Sequence, residues 1–464
     1  MERYDSEHTE ERKERYAMEQ PQKKYNLFTA IAMIVGTVIG SGIFFKSAAV
    51  LEKTGGSLLL GAALFALCAL GIVFGGLTIG SLACRTDRPG GVLAYLETYA
   101  DRRVACGFGW FQVLLYYPSL IAVISWVAAC YIQSLFGLAG GLEAQILLAA
   151  AIILALFALN AFSARAGGLF QNVTTIVKLV PLAGCIVLGF LYGDPAALTA
   201  ARDAAEGPSL IRAATAIPAV AFMFDGWIVA TSICAEIKSS KKALPLALAV
   251  APVCILIVYA LYFIGAGLYL GPDTMIAQGD GYIYAAAARA LGSRGGAVIL
   301  ALIIAAILGT VNGYVTGAVR MPYSLAKSGF FPGRTRLKRI CKRTDTPLPS
   351  ACFACACALL MLGVHYLILR FQLLPGYDVS EIAVAVSYLL YSVLYVRVIA
   401  LHRKGEIRGV FHGLVFPLLA LAGAAIVVLG AVQSNMFWLN LAVCAAVFGV
   451  GFLYCQRTRR RGPG

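Results

Sequence analysis

Long apolar stretches separated by short polar segments run through most of the chain. Many of them reach about 20 residues, the length that an α-helix needs to cross the hydrocarbon core of a bilayer. Short segments of alternating hydrophobicity, typical of outer-membrane barrels, do not occur. The pattern predicts an all-α integral membrane protein with about twelve spanning helices. They are predicted at residues 27–51, 57–83, 107–130, 143–160, 169–191, 213–237, 243–270, 297–326, 349–371, 380–400, 410–432 and 436–455.

The first apolar run is interrupted at its centre by Gly40, Ser41 and Gly42, three residues of poor helix propensity. One interpretation is a packing seam, because Gly36 and Gly40 form a G-x-x-x-G motif that lets two helices approach closely. The other is a broken helix. Non-helical backbone at membrane depth is tolerated only where it is buried in protein or lines a cavity, and secondary transporters bind charged substrates at such breaks.

The sixth apolar run carries a second interruption, Asp225-Gly226, inside residues 218–238. An acidic residue in the middle of a spanning segment indicates a functional site by default. Alternatively, the carboxylate caps a new helix that starts at Trp227. The two interpretations are compatible, because a cap is needed only where the helix is broken. The two interruptions stand five spans apart, which predicts an inverted repeat of five plus five helices followed by two further helices.

Four further polar residues lie in or beside apolar runs. Lys178 lies in the fifth run, where it either faces the protein interior or extends toward the cytoplasmic interface. Asn312 in the eighth run either links helices by hydrogen bonds or contributes to a site. Glu381 opens the tenth run and is interpreted as a charge at a helix N-terminus. His365 is interpreted as structural.

Composition supports the membrane assignment, since 60% of the 464 residues are apolar and 13% are charged, against roughly 25% charged residues in soluble proteins. The net charge of +15 is spread over several segments, so no nucleic-acid partner is expected. Lys and Arg collect in segments on one side of the predicted membrane, at 85–103, 238–242, 334–343, 403–408 and 457–461. This distribution predicts that both termini are cytoplasmic.

The predicted organisation is a cytoplasmic tail at 1–24, a ten-helix core at 25–400, two further helices at 401–456 and a basic tail at 457–464. Residues 1–24 contain no apolar segment of the kind that a signal peptide requires.

The thirteen cysteines lie mostly within apolar runs and are interpreted as small hydrophobic residues. Cys352, Cys355 and Cys357 have no matching His or acidic residues nearby, which favours packing over zinc binding. No metal or cofactor is therefore expected. Hydrolytic motifs such as G-x-S-x-G and H-E-x-x-H are absent from the sequence, so an enzyme is not expected.

The two interrupted runs carry the motifs GSGIF at Gly40–Phe44 and FMFDGW at Phe222–Trp227. They resemble motifs of the amino acid–polyamine–organocation superfamily, within it the L-type amino acid transporters, and especially the bacterial serine/threonine and alanine/serine/cysteine exchangers. The resemblance covers roughly residues 25–400 and implies the inverted repeat known as the LeuT fold. The other matching residues are Pro89, Gly90, Gly91, Tyr95, Asn312, Gly313, Arg320 and Met321.

The resemblance implies a site for a zwitterionic amino acid between the two breaks. The amides of Ser41, Gly42 and Ile43, at the positive end of a helix, suit the substrate carboxylate. Carbonyl groups at the broken helix ends suit the ammonium group, and by resemblance they belong to Val38, Phe222 and Asp225. The implied substrate-binding residues are Val38, Gly40, Ser41, Gly42, Ile43, Phe222, Met223, Asp225 and Gly226.

Three residues around this site have further roles by resemblance. Phe222 would close over the substrate as a gate, and Trp227 would bound the pocket. Lys178 falls where sodium-independent members place a lysine in the position of a sodium ion. It would tie the fifth helix to the first and eighth, so no sodium dependence is expected.

The expected function is sodium-independent transport of neutral L-amino acids across the cell membrane, in 1:1 exchange and by alternating access. The alternative is a proton-coupled or exchange carrier of cationic amino acids or polyamines, with Asp225 binding the charge directly.

The sequence departs from the family pattern in one motif. Residues Glu236–Ser240 differ from the family's motif Glu-x-x-Asn-Pro. The loop at 133–145 lacks a cysteine, so no disulfide-linked glycoprotein subunit is expected.

Overall fold

The computed structural model describes residues 26–86, 91–199, 210–228, 231, 240–332, 334–341, 344, 346–373, 378–434 and 437–460. These residues form helices joined by short connections, and they contain no β-strand beyond one isolated bridge between Cys341 and Thr346. The prediction of an all-α membrane protein is confirmed.

Ten helices within the described ranges are long and apolar enough to cross a membrane. They are α3 (Leu58–Ala83), α4 (Arg102–Phe136), α5 (Leu142–Phe162), α6 (Ala166–Tyr192), α8 (Lys242–Leu270), α9 (Tyr282–Lys327), α10 (Leu348–Arg370), α11 (Val379–Arg403), α12 (Phe411–Val432) and α13 (Phe437–Thr458). Large apolar side chains on these helices point away from the protein, among them Leu147, Phe190 and Leu429. Such an apolar exterior is what a lipid-facing surface requires, because lipid tails are as apolar as leucine.

The first predicted span is divided into α1 (Leu27–Val38) and α2 (Ser41–Lys53), which are bent by 54° relative to each other. The side chain of Asn26 caps α1 by accepting a hydrogen bond of 2.8 Å from the amide of Thr29. Gly40 has φ of −147° and ψ of −145°, which is not helical. The predicted interruption of the first helix is therefore present.

The sixth predicted span begins as a short apolar helix, α7 (Ile217–Met223), and Pro218 occupies its first turn. It ends in a turn at residues 224–226, where Gly226 has φ of +95°. Only glycine adopts this backbone conformation without steric penalty. Residues 229–230 and 232–239, which include most of Glu236–Ser240, lie outside the described residues.

The divided helices are held inside the protein by their neighbours. α1 packs against α8, α2 packs against α7, and α7 also packs against α11. The arrangement of twelve helices in an inverted repeat stays a prediction, because part of the sixth span lies outside the described residues.

The motif at Pro89-Gly90-Gly91 lies mostly outside the described residues, which resume at Gly91. A short helical segment follows at 92–100. Val92, Leu93, Ala94, Tyr95 and Leu96 in it are buried, so its first half packs against protein.

Candidate functional site

The two helix breaks contact each other. A Cβ atom on Gly42 would lie 3.0 Å from the Cα atom of Met223, and one on Gly226 would lie 3.2 Å from a methyl carbon of Thr37. Both distances are shorter than ordinary van der Waals contacts, so the two breaks pack closely at these glycines. The residues of GSGIF and of FMFDGW, which are far apart in the chain, thus form one site. α1 and α7 end there, and α2 begins there.

The N-terminus of α2 presents uncapped amides to this site. Its N-cap residue, Gly40, has no side chain to accept from the first amides, which belong to Ser41, Gly42 and Ile43. The hydroxyl oxygen of Ser41 is buried and has no hydrogen-bond partner in the described part of the chain. The first amides of a helix lack partners within the helix and carry a partial positive charge, so this end suits an anion.

The C-termini of α1 and α7 present carbonyl groups to the same site. The hydroxyl of Tyr259, on α8, lies 2.9 Å from the carbonyl oxygen of Val38 and 3.1 Å from that of Met223. The carbonyl oxygen of Phe222 accepts a hydrogen bond of 3.1 Å from the amide of Asp225. A carbonyl oxygen has two lone pairs, so each of these groups can accept a second donor. These negative helix ends suit a cation.

The carboxylate of Asp225 is buried and already bound by two hydroxyl groups. Tyr116 donates a hydrogen bond of 2.5 Å and Tyr314 one of 3.0 Å, both to the same carboxylate oxygen. Tyr116 lies at the end of a π-helical turn, Gln112–Tyr116, within α4, a local distortion that is frequent at functional sites. Asp225 therefore joins the break in the sixth span to α4 and α9. Sequence reasoning missed Tyr314, because tyrosine is common in spanning helices.

Aromatic side chains enclose the site, and the predicted gate and wall residues are among them. The ring of Phe222 contacts that of Phe45 edge to face, with 5.6 Å between centroids. The ring of Trp227 meets that of Tyr391, on α11, at 6.1 Å. Both predicted residues are buried. The indole nitrogen of Trp227 has no hydrogen-bond partner among the described residues.

Lys178 lies at a turn within α6, and its side chain is buried. Its ammonium group donates a hydrogen bond to the carbonyl oxygen of Gly36, near the end of α1. The side chain therefore points into the protein and not toward the interface. The same turn of α6 packs tightly on α9, since a Cβ atom on Gly309 would lie 2.2 Å from the hydroxyl of Thr174.

Asn312 links three helices through a hydrogen-bond network. Its amide nitrogen donates to the carbonyl oxygen of Gly167 at 3.0 Å and to the side chain of Gln171 at 3.1 Å. Its side-chain oxygen accepts from Asn160 at 2.7 Å. These contacts join α9 to α5 and α6, as the first interpretation of Asn312 predicted.

An ion cluster near Phe222 was missed by sequence reasoning. The ammonium group of Lys46, on α2, lies 2.7 Å from a carboxylate oxygen of Asp378 and also contacts Glu381. Asp378 caps α11 by accepting from the amides of Ser380 and Glu381. Glu381 lies in the first turn of α11, as predicted, but its pairing with Lys46 was not foreseen.

His365, interpreted as structural, is buried on α10 and packs edge to face on Trp126, with 5.0 Å between ring centroids. Neither of its ring nitrogens has a hydrogen-bond partner among the described residues.

Comparisons with known proteins show the family of the chain. The sequence model of a family described as amino acid permease matches residues 25–458. The chain is 31% identical to the serine/threonine exchanger SteT of Bacillus subtilis over 449 residues, which cover 95% of this chain and 98% of that protein. It is 27% identical to the b(0,+)-type amino acid transporter 1 of Mus musculus, covering 90% of this chain and 84% of that protein.

A third relative is the large neutral amino acids transporter small subunit 2 of Mus musculus. It is 27% identical to the chain, and the match covers 92% of this chain and 80% of that protein. The family match, these relatives and the spanning helices lead to one conclusion: the chain belongs to the amino acid permease family of the amino acid–polyamine–organocation superfamily, as a multi-pass amino acid transporter and not an enzyme.

Proposed function

We propose that the protein exchanges neutral L-amino acids one for one across the cell membrane, without sodium. Both termini are cytoplasmic in this proposal, and no disulfide-linked glycoprotein subunit takes part. The relatives include a protein named as a serine/threonine exchanger and one named as a transporter of large neutral amino acids.

The observation that carries the proposal is the meeting of opposite helix ends at the two breaks. The uncapped amides of α2 face the site together with the hydroxyl of Ser41, which has no hydrogen-bond partner among the described residues. The carbonyl oxygens of Val38 and Met223 end the neighbouring half-helices and share the hydroxyl of Tyr259. A zwitterionic amino acid needs an anion site and a cation site side by side, and helix termini of opposite polarity provide both.

The contacts of Asp225 favour neutral over cationic substrates. Its bound carboxylate oxygen already accepts from both Tyr116 and Tyr314. A cationic side chain that bound this oxygen would have to displace one of these hydroxyl groups. The same carboxylate instead holds the turn of the sixth span against α4 and α9. This structural role is the same whichever amino acid is bound.

The contact between Lys178 and Gly36 supports sodium independence. An ammonium group that donates to a backbone carbonyl of α1 supplies the positive charge that a bound sodium ion would otherwise supply at that position. Because the lysine is covalently fixed, substrate movement needs no ion gradient at this site. This agrees with exchange of one amino acid for another by alternating access.

Counterflow in proteoliposomes tests the proposal. Vesicles loaded with unlabelled serine, or left empty, are presented with radiolabelled serine, alanine or leucine, each in sodium buffer and in choline buffer. Loaded vesicles should take up label several-fold faster than empty ones and at equal rates in the two buffers. Competition by excess arginine and by putrescine tests the cationic alternative, and neither should reduce serine uptake appreciably.

Three results would contradict parts of this proposal. Uptake that needs sodium would refute the role of Lys178. Equal rates of label uptake in loaded and empty vesicles would indicate uniport or proton-coupled uptake and would contradict exchange. Strong competition by arginine or putrescine would favour the cationic class.

A further inference from the structure

A network of buried polar side chains joins α9 to α5 and α6. Asn312 and Asn160 at its centre are 0% and 6% exposed. Besides the bonds of Asn312 to Asn160, Gly167 and Gln171, the hydroxyl of Thr316 donates a hydrogen bond of 3.0 Å to the side-chain oxygen of Asn160. Both asparagines therefore use their side-chain oxygen and nitrogen in hydrogen bonds. We call Asn160, Gln171, Asn312 and Thr316 the amide network.

The α6 residues bound by the amide network lie on the face of the helix that carries Lys178. Residues 167, 171, 174 and 178 follow one another at spacings of three or four, which places them on one face. The amide of Lys178 donates to the carbonyl oxygen of Thr174 at 3.1 Å, so helical hydrogen bonding continues to this point. The amide network thus holds α6 about two helical turns from Lys178.

Between the amide network and Lys178, α6 contacts two different helices with adjacent residues. A Cβ atom on Gly309 of α9 would lie 2.2 Å from the hydroxyl oxygen of Thr174, and one on Gly36 of α1 would lie 2.9 Å from the methyl carbon of Thr175. Both threonine hydroxyls donate to backbone carbonyl groups of α6 itself, so these are packing contacts. A rotation or shift of α6 on α9 would therefore change its contact with α1.

The ammonium group of Lys178 is sensitive to such a change. It donates to the carbonyl oxygen of Gly36, which belongs to another helix, and the lysine is only 1% exposed. A buried donor that loses its acceptor pays the full cost of desolvation, and the cost is larger for a charged group. The position of α6 relative to α1 thus decides whether the buried charge keeps this partner.

We propose that the amide network is a positioning element for Lys178. Asn312 holds α6 on α9 in the register at which the ammonium group reaches Gly36. This inference rests on the proposed function, in which Lys178 supplies the charge that a sodium ion would otherwise supply. Asn312 then acts on transport through Lys178, and the substrate does not contact it.

The chemistry of the amide network suits this role. Hydrogen bonds between amides depend steeply on distance and angle, so a shift of α6 by one residue would break several of them at once. Apolar packing alone distinguishes less sharply between neighbouring registers. In coiled coils, a single buried asparagine specifies the register of the helices in this way.

The first experiment compares serine exchange by Asn312→Ala, by Lys178→Ala and by the double variant, at equal amounts of folded protein. Asn312→Ala should lower the rate severalfold. The double variant should exchange at the rate of Lys178→Ala alone, within about twofold, because residues that act as one unit are not additive. Losses that multiply in the double variant, or a wild-type rate for Asn312→Ala, would overturn the proposal.

A milder variant covers the case in which Asn312→Ala does not fold. Gln171→Met removes one hydrogen bond of Asn312 and leaves its bond to Gly167. It should cause a smaller loss of rate, and this loss should also disappear in the Lys178→Ala background. A loss that persists there would count against the proposal.

Ser350→Ala is the matched control. The hydroxyl of Ser350 donates to the carbonyl oxygen of Val319 at 2.6 Å and accepts from the amide of Tyr323 at 3.0 Å. It thus joins α10 to α9 in a buried place, outside the contacts that lead to Lys178. The relative effect of Ser350→Ala on the rate should be the same with and without Lys178.

A second experiment measures amide hydrogen exchange and does not depend on transport. In Lys178→Ala, α1 loses its contact at Gly36, so exchange at residues 27–38 should be faster than in the unmodified protein. Asn312→Ala should accelerate exchange at the same residues, although Asn312 lies on α9. Faster exchange confined to α5, α6 and α9 would show that the network only holds these helices together. Absence of transport in the unmodified protein would contradict the proposed function, while the exchange pattern would still decide the positioning role.

Discussion

The hydroxyl of Tyr259 donates a hydrogen bond of 2.9 Å to the carbonyl oxygen of Val38, the last residue of α1. The same hydroxyl lies 3.1 Å from the carbonyl oxygen of Met223, the last residue of α7. Tyr259 thus holds together the two half-helix ends to which the proposed function assigns the substrate ammonium group. Its own helix, α8, is unbroken, so the hydroxyl is positioned by a rigid element.

We predict that Tyr259→Phe weakens substrate binding. A hydrogen bond of this kind contributes about 0.5–1.5 kcal/mol, so the apparent KM for serine should rise roughly 2- to 10-fold while the protein yield stays unchanged. The measurement is initial exchange rate against serine concentration in proteoliposomes.

The control for this variant is Tyr366→Phe, which removes an exposed hydroxyl that makes one long contact with Glu143. It should behave as the unmodified protein does. A wild-type KM for Tyr259→Phe would show that the half-helix ends keep their geometry without the hydroxyl.

We predict that Lys178→Ala impairs transport and leaves membrane insertion intact. The variant loses the hydrogen bond from the ammonium group to Gly36, and hydrogen bonds to charged groups contribute about 1.5–3 kcal/mol. The rate of serine exchange should fall about tenfold or more. Size-exclusion chromatography of the purified protein reports whether the fold is retained.

Lys338→Ala serves as the comparison, because Lys338 is exposed and equally charged. Its exchange rate should equal that of the unmodified protein. Normal exchange by Lys178→Ala would refute the role proposed for this lysine.

We predict that Gly40→Ala abolishes transport and that Thr310→Ala partly restores it. A Cβ atom on Gly40 would lie 2.4 Å from the hydroxyl oxygen and 3.0 Å from the methyl carbon of Thr310, but 3.3 Å from its Cβ atom. Shortening Thr310 to alanine removes the two nearest atoms. The double variant should therefore exchange serine faster than Gly40→Ala alone.

A glycine with open surroundings provides the control. A Cβ atom on Gly363, in α10, would meet no other atom of the described residues within 4 Å, so Gly363→Ala should transport normally. If Gly40→Ala and Gly363→Ala transported serine equally fast, the close contact between α2 and α9 at Gly40 would not be needed for transport.

The two helix breaks and Lys178 were predictable because each places polar or helix-breaking residues within an apolar run. Gly40-Ser41-Gly42 and Asp225 interrupt apolar runs, and Lys178 places a charge in one. The expected energetic penalty of such residues in a membrane makes them visible in a single sequence. The all-α membrane fold followed from the same runs.

The residues that complete the site were not predictable by the same reasoning. Tyr259 and Tyr314 are ordinary residues of spanning helices, and only folding brings them to Val38 and Asp225. Lys46 lies toward the end of the first predicted span, 27–51, where a basic side chain can extend to the membrane interface and gives no signal of a site. Its partners follow more than 300 positions later, and a pairing over that distance leaves no local signal.

We predict that Asp225→Asn slows exchange of every transported amino acid to a similar extent. The carboxylate binds the hydroxyl groups of Tyr116 and Tyr314, and a neutral amide accepts these hydrogen bonds more weakly. The loss should be about tenfold in rate, since charge-assisted hydrogen bonds contribute about 1.5–3 kcal/mol. Tyr314→Phe, which removes the longer of the two bonds, should cause a smaller loss.

The measurement for Asp225→Asn compares serine, leucine and arginine in one counterflow assay. A selective loss of arginine exchange in Asp225→Asn, with serine unaffected, would mean that the carboxylate contacts a cationic substrate directly, and it would replace the scaffolding role argued from the two tyrosines.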